Sequence, residues 1–139
     1  MKMTRGLRNN NPLNIRRIVG TIWQGQLAEQ RDKKFVQFKS IEWGIRAACC
    51  ILKTYQRKYQ ATCVEDIITR WAPASENDTR KYVETVCRLT GFGGKERLAE
   101  SQLPALVCAM AFVECGALIS KETINKAYSL YVKLKSNSK

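Results

Sequence analysis

From residue 41 onward, apolar side chains recur every three or four positions, the spacing of one helix face. Ser40 stands where an N-cap belongs, and Ile41, Ile45, Ala48, Leu52, Tyr55 and Tyr59 then form a stripe that predicts a helix to about Tyr59. Thr62 with Glu65 reads as a capping box for a shorter helix ending near Trp71, before Pro73. A polar loop is expected over 73–77, then a helix capped by Asn77 or Asp78 that runs to about Leu89 and stops at Gly91. After a glycine-bearing loop over 92–97, Ser101 caps a fourth helix that tolerates Pro104 in its first turn. Ser120 caps the last helix, 121–134, which leads into a polar tail. Upstream, residues 1–20 have little periodicity and read as loop with local turns. The short runs 21–23 and 35–38 read as a small β-hairpin. The pattern predicts a mainly α, single domain over residues 1–139 with a minor β element.

One position departs from this pattern. Leu103, Val107 and Met110 line one helix face, and Glu114 continues the same line just before Gly116, which should end the helix. Burial favours the neutral form of a carboxyl group, which suits a general acid. A helix-end Glu that reaches back to water fits the pattern equally well.

Composition narrows the chemistry. The chain has 24 Lys and Arg against 12 Asp and Glu, a formal net charge of +12. Such a surplus favours polyanionic partners, but the bases are spread along the chain and equally serve as a solubilising surface. No nucleic-acid-binding signature accompanies them, so no specific nucleic-acid partner is expected. With no histidine, Ser-His and Cys-His nucleophiles and His-ligated zinc are excluded. The six cysteines contain no Cys-x-x-Cys pair, and Cys49, Cys87 and Cys108 sit within helical patterns as reduced core thiols do. No metal or organic cofactor is implied. The first residues carry charge without an apolar stretch behind it, so synthesis in the cytoplasm without a signal peptide is expected. No run is long enough to span a membrane.

Three stretches together resemble the lysozyme-like peptidoglycan hydrolases, the superfamily of lytic transglycosylases and bacterial glucosaminidases. Residues 9–16, Asn-Asn-Asn-Pro-Leu-Asn-Ile-Arg, resemble the Asn-Asn-Pro-x-Asn-Ile-Arg opening of small phage-borne members. Trp23-Gln24-Gly25, followed by the aromatic run 35–38 and Ser40-Ile41-Glu42, is similar to the hairpin and helix start of glucosaminidases. Thr79-Arg80-Lys81-Tyr82-Val83 resembles a helix of lytic transglycosylases. In those enzymes the catalytic Glu precedes these motifs. Here the only comparable element, Val113-Glu114-Cys115-Gly116, comes last, which implies a circularly permuted lysozyme-like arrangement.

The resemblance implies a glycosidase, a lytic transglycosylase or muramidase, acting on β-1,4 bonds of peptidoglycan glycan strands. Glu114 is then the general acid. Glu42 is the rival carboxylate, although its place in a helix first turn equally suits a role towards the helix dipole. Glu29 and Asp32 occupy the region of a secondary carboxylate but read better as exposed loop charges. Asn10, Asn11, Asn14, Trp23, Gln37 and Tyr82 are the candidate glycan contacts. Trp23, beside Gln24-Gly25, is the best stacking platform among the tryptophans, while the others also have structural readings: turn asparagines, a core tyrosine, a solvent-facing strand glutamine. Trp43 and Trp71 could also stack on sugar faces, but both sit in helical patterns and read better as core. A monomer is expected, reaching the cell wall by phage lysis, virion delivery or effector secretion. The competing expectation is a non-catalytic phage virion or interaction protein with the same fold.

Overall fold

In the computed structural model, residues 3–72 and 76–134 are described, with backbone alone at 76 and 77. Six helices follow in order: α1 (Arg5–Arg8), α2 (Ile41–Tyr59), α3 (Val64–Trp71), α4 (Glu76–Thr90), α5 (Leu103–Cys115) and α6 (Lys121–Leu134). A single 3-10 turn, Glu100–Gln102, leads into α5. The architecture is mainly α.

Helix α5 is the centre of the molecule. Its sequence is apolar on nearly all sides, and such a helix must be surrounded by others. Helices α1, α2, α4 and α6 all pack against it. Leu103, Leu106, Val107 and Met110 are fully buried, each worth about 1.5–3 kcal/mol of transfer free energy as an upper bound. Helix α2 supplies Ile45, Ala48 and Leu52 to the same core, and α3 supplies Ile67 and Ile68. Arg46, wholly buried on α2, donates from Nη2 to the carbonyl of Leu134 at 2.9 Å. A cation thereby satisfies an end carbonyl of α6 and ties α6 to α2.

The amphipathic stripe locates α2, and the Ser120 cap and polar tail locate α6, at the expected bounds, and Gly116 ends α5 in the left-handed conformation (φ 70°). The predicted caps fare less well. Ser40 is the N-cap of α2, but its hydroxyl makes no capping bond. The Thr62–Glu65 capping box does not form, and Cys63 is the N-cap of α3. The loop after α4 does that work instead: Glu65 N–H donates to the Gly94 carbonyl (3.0 Å) and Leu98 N–H to that of Thr62 (2.8 Å). Helix α4 already includes Asn77 and Asp78, which are therefore not caps, and residues 73–75 of the expected loop lie outside the described residues. Ser101 falls inside the 3-10 turn rather than capping α5. Ser120 does cap α6, its hydroxyl accepting the Thr123 N–H at 3.2 Å. The polar tail, 135–139, lies outside the described residues.

The N-terminal third also differs. Residues 5–8 form a helix within the expected loop. The hairpin of 21–23 with 35–38 is absent; among the described residues there are only two isolated antiparallel bridges, Arg16 with Phe35 and Gln26 with Phe38. Segment 21–23 is bent by other bonds, from Thr21 N–H to the Ile18 carbonyl and from Trp23 N–H to Gln26 Oε1, so its flanks meet 35–38 instead. This irregular layer is seated on α2 by close approach. A Cβ on Gly44 would collide with the Asn10 carbonyl oxygen, and one on Gly25 with the Trp43 ring.

Candidate functional site

Segment 13–23, Phe35, one face of α2, the end of α3 and the last turn of α5 line a cavity of about 610 Å³ that is open to solvent. Trp23, Tyr55 and Trp71 contribute aromatic walls, with the Tyr55 and Trp71 rings 6.3 Å apart. Among the described residues, its lining holds one carboxylate, Glu114, and one cation, Arg16. A cavity with apolar walls and few polar groups is the usual form of a small-ligand site.

Glu114 reaches this cavity because it continues the buried stripe of α5 one turn past Met110, where the helix emerges from the core. The Tyr82 hydroxyl, from α4, donates to Glu114 Oε2 at 2.9 Å. Tyr82 is buried, and burial, followed by the charge of Glu114, holds its hydroxyl well above the usual tyrosine range. It therefore remains a proton donor to the carboxylate through neutral and moderately alkaline pH. With Oε2 engaged, Oε1 is left for other partners.

The N-terminal segment packs beside the same helix end. A Cβ on Gly6 would touch Cys115 Cβ at 3.4 Å and Asn14 Oδ1 at 3.1 Å. Asn14 lines the cavity, and its Oδ1 is buried without a hydrogen-bond partner. Glu114, Asn14, Trp23 and, through its hydrogen bond, Tyr82 are thus brought together.

The other candidates are not. Asn11 is fully buried; its Nδ2 donates to the carbonyls of Ile15 (3.0 Å) and Val36 (2.9 Å), while Oδ1 accepts the Ile15 N–H (2.9 Å). Both of its amide donors are spent on backbone and the side chain is wholly buried, so it does not face a ligand. Asn10 donates to the Phe38 carbonyl at 3.1 Å and is absent from the cavity lining. Gln37 Oε1 accepts the Arg31 N–H at 2.6 Å, and its Nε2 donates to Asn9 at 3.1 Å, so it is an internal strut rather than a groove contact. Glu42 lines a separate hollow against α6, with Glu122 and Lys126, and shares no wall with Glu114.

Asp32, expected as an exposed loop charge, is instead a hub whose side chain is only 9% exposed. It accepts two 2.7 Å bonds from Arg5, one from Asn9 Nδ2 (2.9 Å) and the N–H groups of Lys34 and Phe35. The Arg5 guanidinium is the main reason its carboxyl is held far below the usual carboxylate range, with these other donors adding to it against desolvation. Glu29 is exposed and pairs with Arg31.

Tyr55 and Trp71 both line the cavity, Tyr55 without a sequence signal for it and Trp71 against the expectation that core was its better reading. Tyr55 sits within a stripe that reads as core, and Trp71 reads as a helix-end core residue; both are half-buried because the cavity lies beside them. All six cysteines are free thiols. Burial raises Cys115 above the ordinary thiol range and pushes Cys108 up to about 12, so neither is a ready nucleophile. No helix among the described residues is long and apolar enough to cross a membrane.

No protein-family model matches the chain. A search of curated proteins finds Protein P5 of Pseudoalteromonas phage PM2, 44% identical over 115 residues that cover 81% of this chain and 72% of that protein. The chain belongs to the family of this bacteriophage protein.

Proposed function

We propose that the chain is a peptidoglycan-cleaving glycosidase of the lysozyme-like type, with a circularly permuted order of helices and Glu114 as its single general acid and base. The observation that carries this reading is the Tyr82–Glu114 pair at the end of the central helix, opening into an aromatic-walled cavity large enough for amino sugars.

The chemistry follows from one carboxyl group. Glu114 gives a proton to the glycosidic oxygen as the C1–O bond breaks and positive charge builds on the sugar ring. The carboxylate then takes a proton from the nucleophile that closes on C1. In a lytic transglycosylase that nucleophile is the sugar's own 6-hydroxyl, which leaves a 1,6-anhydro end; in a muramidase it is water. Separation of Glu42 from the cavity supports a one-carboxylate mechanism. Tyr82 is a positioning residue that fixes the rotamer of Glu114 through Oε2. Half-buried Trp71 offers a face for sugar stacking and Asn14 an amide, whereas Trp23 is only 8% exposed and serves as packed wall rather than as an open platform.

Membership in a phage protein family supports delivery to the wall by lysis or by the virion. The positive charge of +12 would hold the protein near an anionic wall, an attraction that weakens with salt. The test is clearing of purified sacculi. Wild type and Glu42→Gln should both clear, and Glu114→Gln should fail by at least about a hundredfold while folding normally. No clearing by any folded form would assign the non-catalytic virion role instead.

A further inference from the structure

We propose that turn 18–22, with the cations at its base, docks the protein on an anionic lipid bilayer. Thr21 N–H donates to the Ile18 carbonyl at 3.0 Å, closing a turn in which Gly20 adopts φ 86°. The turn holds Val19 at its tip, fully exposed, with Ile18 66% and Ile22 74% exposed beside it. Three aliphatic side chains gathered on one protruding turn gain nothing in water and mark a contact surface.

The surroundings specify the partner. Arg16, Arg17, Lys33 and Lys34 are all exposed around the base of the turn. The base is rigid: Arg17 N–H donates to the Lys34 carbonyl and Arg17 Nη1 to the Asp32 carbonyl, both at 2.8 Å. No acidic residue occurs between Arg16 and Ala28. An apolar tip above a cationic collar matches a bilayer, in which the aliphatic groups enter the headgroup–acyl boundary and the cations meet anionic headgroups. A nucleic acid would use the cations but offers nothing to the aliphatic tip. The contact is peripheral and is independent of the glycosidase reading. Ile18 and Thr21 also border the Glu114 cavity, so docking would set its mouth beside the membrane.

The full chain is tested by co-sedimentation with phosphatidylglycerol/phosphatidylcholine vesicles and with phosphatidylcholine alone. Wild type should bind the anionic vesicles and keep part of that binding at about 0.5 M salt, where charge attraction is screened. The triple change Ile18→Ser, Val19→Ser, Ile22→Ser should bind at least about tenfold more weakly with an unchanged melting temperature. A single Val19→Trp variant, at a fully exposed position, should add blue-shifted emission on mixing with anionic vesicles. Equal binding of the triple variant and wild type, no preference for anionic vesicles, or unshifted Val19→Trp emission would each overturn the proposal. So would a wild-type dimer in solution that the triple change dissociates.

Discussion

Tyr82 and Glu114 meet across 2.9 Å, the hydroxyl of one helix donating to the carboxylate at the end of the central one. The contact joins α4 to α5 at the point where the buried stripe of α5 opens into the cavity. It engages Oε2 of the carboxylate and not Oε1.

Tyr82→Phe keeps the buried ring and removes only the donor. Under the glycosidase reading, sacculus clearing should fall about tenfold to a hundredfold, the usual cost of a misoriented reacting group. Circular dichroism should show the fold retained. Undiminished clearing would remove Tyr82 from the mechanism.

The same residue makes a prediction that needs no activity. Burial and Glu114 hold the Tyr82 hydroxyl above the usual range, so it stays protonated where an exposed tyrosine ionises, near about pH 10. The tyrosinate absorbance gained around that pH should be the same in wild type and Tyr82→Phe. Loss of one tyrosine's share in the variant would place Tyr82 in solvent.

Asp32 predicts an acid-labile fold. Its folded-state pKa lies below the unfolded value, so its contribution is complete above about pH 4 and is lost as pH falls below that. Asp32→Asn should cost about 1–3 kcal/mol at neutral pH and flatten the acid side of a melting-temperature profile. An unchanged profile would show that the Arg5–Asp32–Asn9 hub does not hold the N-terminal layer.

Gly44→Ala should destabilise by about 1–3 kcal/mol or more, because its methyl would collide with the Asn10 carbonyl oxygen. Gly93→Ala, where the nearest atom is an ordinary 3.5 Å away, should be far milder. Urea melts of the two variants check the contrast.

Helix α2 was legible because burial of one face writes a period into the chain, and it ends where its stripe ends; α6 was legible in the Ser120 cap and the polar tail that follows it. Helix α1 has only four residues and carries no period. The partners of 35–38 are chosen by the turn at 18–21, a bond between backbone groups that no side-chain pattern reports. The meeting of Glu114 with Tyr82 was legible, because a carboxylate on a core stripe and a tyrosine within a motif stand out from their elements. The site was illegible in Asn11 and Gln37, since an amide aimed at backbone has the same sequence signature as one aimed at a ligand. The wall formed by Tyr55 and Trp71 exists only once α2 and α3 are packed.

Mass spectrometry of the soluble products released from purified sacculi by wild type and by Glu114→Gln tests Glu114 as the general acid most directly. Wild type should release disaccharide-containing fragments cut at the glycan, with anhydro ends or, one water heavier, hydrolysed ends, and folded Glu114→Gln should release almost none. Equal release by the two proteins, or intact glycan after treatment with folded wild type, would contradict it.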